Sequence, residues 1–373
     1  MSDSQTPFIP FTRPSFNQET IHAVSEVLRS GWVTSGPKLA EFEAALSKYF
    51  GDRPVRCFAN GTATMKIALQ VAGIGEGDEV ITTPISWVAT SNVILSVGAK
   101  PVFVDIDQHS LNLDPKKIEA AITSKTTAIM PVHCYGNPCD VEEIERIAKK
   151  HSLRIIYDAA HAFGVQINGR SLLNYGDLSI LSFHATKVFN TFEGGAIICP
   201  DLQTKKHIDQ LKNFGFIDEV TVTSPGINGK MSEINAAFGL LQLKYVDQAI
   251  DKRRKVDFVY RKSLDKIRGI TCLQGASSAT QNYSYFPVLV SPEFPLTRDE
   301  IYQRLKDKNI FSRRYFYPLI SQFPMYSHLP SANALNLPNA VKAADQILCL
   351  PIYPDLVEQE QGAVIDAIAE CSQ

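Results

Sequence analysis

No apolar run in this 373-residue sequence approaches the roughly 20 residues that a membrane-spanning helix needs. The opening MSDSQTPFIPFTRPSF lacks a basic stretch followed by an apolar one, so no secretory leader is expected. There is no excess of charge either, with 37 lysines and arginines against 39 aspartates and glutamates. A net charge of -2 leaves no electrostatic case for nucleic acid or an anionic membrane as partner. Nor do the cysteines suggest a disulfide framework. There are seven, an odd number, scattered through strand-like and helix-like stretches, which suits buried thiols in a reduced, cytoplasmic protein. Cys134, Cys139 and His133, in HCYGNPC, match no common zinc spacing and are expected to pack rather than to bind metal. Internal repeats and low-complexity segments are missing as well.

What remains is an ordinary globular composition, 45% hydrophobic and 20% charged, in a chain long enough for two domains. Between Val55 and Cys199 the runs VRCFA, EVITT, PVFVDI, TAIMPVHCYG, RIIYDAA, LSILSFH and GAIIC read as strands. All but the last two are separated by helical stretches. Nearly continuous apolar strands are what a parallel sheet shows when helices cover both its faces. The pattern predicts an α/β, doubly wound, mostly parallel sheet. From about Met231 a long helical segment, apolar at first and charged later, is expected to leave that core for a second unit. There YSYFPVLV reads as a strand, and LTRDEIYQRLKDK and VEQEQGAVIDAIAEC as helices. The expected division is a large α/β domain over 1-248 and a smaller α+β domain over 249-373. The loops TSPGINGK and SQFPMYSHLPSANALNLPNA are long enough to be binding elements.

Four positions stand out at the predicted carboxyl ends of the sheet's strands, where open α/β sheets bind ligands. Lys187, in SFHATKVFNTFEGG, follows a buried strand. Burial disfavours an ammonium ion, and a free amine can attack a carbonyl, so this is a candidate Schiff-base lysine. Asn60-Gly61-Thr62 follow VRCFA and open a helix, whose N-terminal N–H groups favour phosphate; Asn60 or Thr62 would also serve as a plain helix cap. Asp158 ends RIIYD, as a ligand carboxylate or another cap. Trp87 follows EVITT, as a stacking platform or a core residue. GIGEGDEV, residues 73 to 80, has its glycines after a helix and before a strand, the reverse of a dinucleotide loop, and reads as a turn. Phosphate cradle, aromatic ring, aspartate and lysine together are the set that pyridoxal 5'-phosphate requires.

The blocks SGWVTSGPKLAEFEAALSKYFG, NGTATM, DAAHAFG, SFHATK with EGG, GINGKMSEINAAFGLLQL and LPIYPDL occur in one order along nearly the whole chain. In this the chain resembles the DegT/StrS family of nucleotide-sugar aminotransferases, fold-type I proteins with the aspartate-aminotransferase fold. The resemblance implies that Lys187 binds pyridoxal 5'-phosphate covalently and then acts as general base. It implies that Asp158 pairs with the pyridine nitrogen, that Trp87 stacks on the ring, and that Thr62, Ala63 and Ser182 hold the phosphate. Asn228 would reach the phosphate from a neighbouring subunit, which implies a homodimer with composite sites. His161 stands where many members have glutamine near the ring oxygen, and Lys230 where arginine is usual, so an anion contact there would lose its bidentate form. RRYFYPL lies where members contact substrate: Arg313 or Arg314 would hold a diphosphate, with Tyr315 beside it.

A lysine at 187, where dehydrating relatives have histidine, implies transamination. L-glutamate would leave the cofactor in its pyridoxamine form, and a dTDP-linked keto sugar would take the amino group. The SFHATK and EGG versions resemble members that aminate C4. The implied acceptor is dTDP-4-keto-6-deoxy-D-glucose, giving dTDP-4-amino-4,6-dideoxy-D-glucose (viosamine as its dTDP form) for a surface polysaccharide. The rival activity is a sugar 3-aminotransferase on a dTDP-3-keto-6-deoxyhexose. A rival of another class, a PLP-binding regulatory protein, would need a nucleic-acid-binding module that the sequence does not offer.

Overall fold

The seven apolar runs form one sheet from β1 (Val55–Phe58), β2 (Glu79–Thr82), β3 (Lys100–Phe103), β4 (Thr126–Met130), β5 (Arg154–Asp158), β6 (Leu178–Ser182) and β7 (Gly195–Ile198). In the computed structural model, which describes residues 8–14 and 16–372, their order is β1-β7-β6-β5-β4-β2-β3. Every pair from β3 across to β6 is parallel, and β7 runs antiparallel to both of its neighbours. Successive residues of each strand enter opposite cores. Cys57, Ile81, Ile155 and Leu181 pack with the helices Pro37–Tyr49 and Val141–His151 on one face. Phe58, Val80, Ile156 and Ile180 pack with Gly61–Val71, Ala89–Ser96 and Leu202–Leu211 on the other. Burial on both faces is the physical reason these strands read as unbroken apolar runs rather than alternating ones. The expected α/β class is the observed one.

Two details differ from the sequence expectation. DPKKIEAAI is not one helix but a single turn, Pro115–Ile118, followed by a tighter turn, Glu119–Ala121. The loop from 321 to 340 is not open; it winds through short turns and buries Tyr326, whose hydroxyl donates to Asn92 Oδ1 at 2.6 Å. Burial of its apolar residues makes this loop part of a core.

A helix of 32 residues, Glu233–Leu264, follows the large sheet. Its second half packs Val256, Tyr260 and Leu264 into a separate core with a three-stranded antiparallel sheet. That sheet is β8 (Ile270–Cys272), β9 (Phe286–Val290) and β10 (Ile347–Leu350), in that order. Ile9, near the other end of the chain, bridges Ile310 and joins the same core.

Glu233 explains the acid in the MSE block. Gly36, which begins the helix Pro37–Tyr49, has no side chain to cap it. Glu233 reaches it instead and accepts N–H groups of Gly36, Lys38 and Leu39 at 2.9, 2.8 and 2.8 Å. A buried carboxylate on a helix N-terminus is favoured by both the free donors and the dipole. Glu233→Ala is expected to destabilise the protein by on the order of 2–3 kcal/mol, read as a fall in denaturation midpoint with an unchanged slope.

Candidate active site

A cavity of about 390 Å³ opens at the carboxyl ends of β1, β2, β5 and β6. It brings together Thr62, Trp87, Asp158, His161, Ser182, Lys187 and Tyr315 from segments more than 250 residues apart. Asn228, Ala63 and the two arginines are not in its wall.

The floor is built by a close approach. A Cβ at Gly61 would lie 2.9 Å from Ser182 Cβ and 3.1 Å from Ser182 Oγ, so only glycine lets the helix Gly61–Val71 start beside the end of β6. The exposed Thr62 follows it. Asn60 caps this helix: its Oδ1 accepts the Ala63 N–H at 2.8 Å. The capping reading and the ligand-cradle reading of the sequence therefore both have their residues, Asn60 for the cap and Gly61 with Thr62 in the cavity wall. The glycines of EGG serve the same approach, since a Cβ at Gly195 would meet Leu181 O at 2.7 Å and Thr64 Cγ2 at 2.9 Å.

Asp158 is 4% exposed at the end of β5. Oδ2 accepts from Thr90 Oγ1 at 2.8 Å and Oδ1 from the Ala160 N–H at 3.1 Å. Burial raises its pKa, while those two donors and the charge of Lys187 pull the other way. Thr90 is steadied by Ser86 at 2.9 Å. Sequence reasoning missed this pair; its local signal is two hydroxyl residues four apart, astride Trp87, where the strand exit turns into a helix. Trp87 itself is 57% exposed, with its ring edge-on to Tyr315 at 6.1 Å. An indole this exposed in a cavity wall is not a core residue.

His161 is buried and stacks on Phe316 at 5.8 Å, with Tyr285 edge-on at 4.9 Å. Burial holds its pKa well below the usual value, and the charge of Lys187 acts in the same direction. The imidazole is thus neutral. Its Nδ1 accepts the Tyr135 N–H at 3.2 Å, which assigns the proton to Nε2 and makes His161 a hydrogen-bond donor on that side.

Lys187 sits in the turn after β6, half-buried, with Nζ 3.2 Å from Tyr285 Oη. Burial lowers its pKa to about 8, against the opposing pull of Asp158 and Cys134. Tyr285 lies 98 residues away, just before β9, and nothing near it in the sequence marks it.

Arg313, Arg314 and Tyr315 line an adjoining cavity of about 240 Å³, which shares Ser86, Trp87, Tyr315 and Phe316 with the first. Arg314 is held by Asp299 at 2.9 Å and by the rings of Tyr302 and Tyr317. Arg313 is exposed and has no ion-pair partner among the described residues. Asn228 is exposed on the segment after the helix Leu202–Leu211, and Lys230 is engaged by Asn213 Oδ1 at 2.7 Å. Cys134, Cys139 and His133 are buried; His133 Nδ1 accepts the Cys139 N–H at 3.0 Å, and its ring stacks on Tyr157. Among the described residues no group of three His, Cys, Asp or Glu is placed to hold a metal, and no helix is long and apolar enough to cross a membrane.

The family model described as the DegT/DnrJ/EryC1/StrS aminotransferase family matches residues 14–369. A dTDP-4-amino-4,6-dideoxy-D-glucose transaminase of Escherichia coli is 50% identical over 357 residues, 94% of this chain and 95% of its own length. The spore coat polysaccharide biosynthesis protein SpsC of Bacillus subtilis is 33% identical over 99% of this chain and 98% of its own. Among solved structures, DesI in the presence of its TDP-sugar product superposes with a TM-score of 0.92 at 31% identity, covering 98% of this chain and 93% of that one. The chain belongs to the DegT/DnrJ/EryC1/StrS aminotransferase family.

Proposed function

We propose that this protein transfers the amino group of L-glutamate to C4 of dTDP-4-keto-6-deoxy-D-glucose, giving dTDP-4-amino-4,6-dideoxy-D-glucose, with pyridoxal 5'-phosphate as cofactor. The observation that carries the reading is a single cavity holding a depressed-pKa lysine, a buried aspartate and a glycine-opened helix N-terminus. The names of the Escherichia coli relative and of DesI support a dTDP-linked sugar. SpsC supports a surface polysaccharide as the destination. Seven buried, unpaired cysteines support a reducing, cytoplasmic setting. We keep the division into 1-248 and 249-373 as the proposed domains, with the helix Glu233–Leu264 running across it.

The residues fit the cofactor at each of its ends. Gly61, Thr62 and Ser182 would take the phosphate, where a Cβ on Gly61 would fill the cradle. Asp158, a carboxylate whose burial awaits a cation, would face the ring nitrogen and keep it protonated. His161 Nε2–H would donate to the ring oxygen, and Trp87 would cover one ring face. When bound, pyridoxal 5'-phosphate supplies an electron-accepting ring conjugated to the nitrogen being transferred. Lys187 would take the proton from the donor's Cα in the first half-reaction and deliver one to sugar C4 in the second. Tyr285 holds the Lys187 amine by its hydroxyl. Arg313, which has no carboxylate partner among the described residues, would take the sugar's diphosphate, while Arg314 supports Tyr302 and Tyr317 beside it and Tyr315 contacts the sugar.

A homodimer is part of the proposal. Asn228 stands outside its own chain's cavity, and its segment exposes Phe214, Ile217 and Val222, a surface that a second copy would cover. Asn228 would then complete the partner's phosphate site.

Two measurements test the reading. The protein loaded with pyridoxal 5'-phosphate is expected to show a visible absorption band that L-glutamate removes and dTDP-4-keto-6-deoxy-D-glucose restores. A band indifferent to glutamate would overturn the donor; one that glutamate removes and this sugar does not restore would overturn the acceptor. Proton NMR of the product is expected to place the amino group on C4, and a 3-amino sugar would decide for the rival activity. Gly61→Ala is expected to weaken cofactor affinity at least about tenfold by crowding Ser182, measured by equilibrium titration.

A further inference from the structure

Lys187 also borders a second chamber, of about 230 Å³, whose charged lining consists of Arg13, Lys187, Lys252 and Arg253 against Asp355 alone. Two of the four cations are matched. Arg13 pairs with Glu360 at 2.9 Å and Lys252 with Asp355 at 3.0 Å. Arg253 is not. It projects from the helix Glu233–Leu264, is 2% exposed, and has no carboxylate partner among the described residues. Its Nη1 donates to Ile352 O at 2.9 Å and Tyr283 O at 3.3 Å, and its buried Nε has no partner. Two carbonyl dipoles do not neutralise a full charge, and a buried cation without an anion is costly. Burial lowers the Arg253 pKa to about 10, which still leaves it charged at neutral pH.

With Nη1 occupied, the edge left to Arg253 is Nε with Nη2, the fork that takes a carboxylate through two parallel bonds. The hydroxyl of Tyr285 accepts from Lys187, and the charge of Arg253 lowers the Tyr285 pKa against its burial. Lys187 and Arg253 line the same chamber, so an anion held there by the fork would share it with the amine.

We propose that the chamber is the amino-donor subsite, in which Arg253 binds a carboxylate of a dicarboxylic amino acid. The inference rests on the aminotransferase reading above and adds a residue to it. The sugar's diphosphate has its own arginine, Arg313, without an ion pair among the described residues, in the cavity beside Trp87, so the chamber is left for the smaller anion.

The test separates the two half-reactions by single-turnover absorption on the loaded enzyme. Arg253→Gln is expected to raise the L-glutamate concentration for half-maximal rate at least about tenfold while leaving the keto-sugar half-reaction of the pyridoxamine form unchanged. Equal losses in both halves would show that Arg253 only ties the helix to the carbonyls of Ile352 and Tyr283, and no loss in either would remove it from the site; both results overturn the proposal. A cofactor-free measurement covers a variant that fails to fold. In wild-type apoprotein, glutarate is expected to raise the pH at which Lys187 is half-reactive towards an amine-labelling reagent, because a carboxylate beside an ammonium stabilises it. No movement with saturating glutarate overturns the subsite. Should wild-type enzyme not react with L-glutamate at all, the donor in the proposed function fails, while the glutarate titration still judges the chamber.

Discussion

Replacing Lys187 by alanine is expected to reduce turnover by at least about 10³-fold, since the variant loses the group proposed to move the proton and no other lysine among the described residues lines the cavity. Lys187→Arg should not rescue it, because a guanidinium stays charged near neutral pH. The pH dependence of the amine makes the prediction sharper. Burial lowers the Lys187 pKa from 10.5 to about 8, so competitive labelling of the apoprotein should find Lys187 half-reactive near pH 8. The same shift has a consequence for stability. Between about pH 8 and 10.5 the unfolded chain holds a proton on this lysine that the folded chain has released. The unfolded state thus binds more protons, and the lysine's contribution to apoprotein stability rises with pH across that window. Below pH 8 both states are protonated and the folded state carries the full desolvation cost. Lys187→Met should therefore be inactive yet more stable than wild-type apoprotein at pH 7, measured by denaturant unfolding. A variant that kept wild-type turnover would remove Lys187 from the mechanism.

Asp158→Asn is expected to lower kcat by about 10²–10³-fold, the scale of removing one preorganised charge from a water-poor site. The substitution preserves shape and the carbonyl that faces Thr90, so folding should survive. A second readout is independent of turnover. The carboxylate of Asp158 is the first of the groups that raise the Lys187 pKa against burial. Without it, the pH of half-reactivity of Lys187 should fall below about 8. If kcat dropped and the lysine did not respond, Asp158 would be acting through the fold and not through charge.

These two residues are also where sequence and structure divide. The succession of strands along the chain, the two-sided burial of the sheet and the placement of Lys187, Asp158, Trp87 and Thr62 at strand exits were all legible in the sequence. Continuous apolar runs bounded by turn residues encode local structure, and parallel strands joined by helices put their carboxyl ends on one edge. Tyr285, Glu233 and Arg253 were not legible. Each acts on a segment far away in the chain: Tyr285 on Lys187, Glu233 on the start of a helix near residue 37, and Arg253 on a chamber walled in part by residues 13 and 187. Their immediate neighbours in the sequence look like ordinary strand or helix. The sequence by itself thus determined the class of fold, the family and the place of Lys187 at a strand exit, because those rest on local periodicity and contiguous blocks. Only the tertiary structure decided which charges are left without a partner, that His161 is a neutral Nε2–H donor, and that of two adjacent arginines Arg314 is held by Asp299 while Arg313 has no ion pair among the described residues. Pairing and burial are properties of groups brought together by folding.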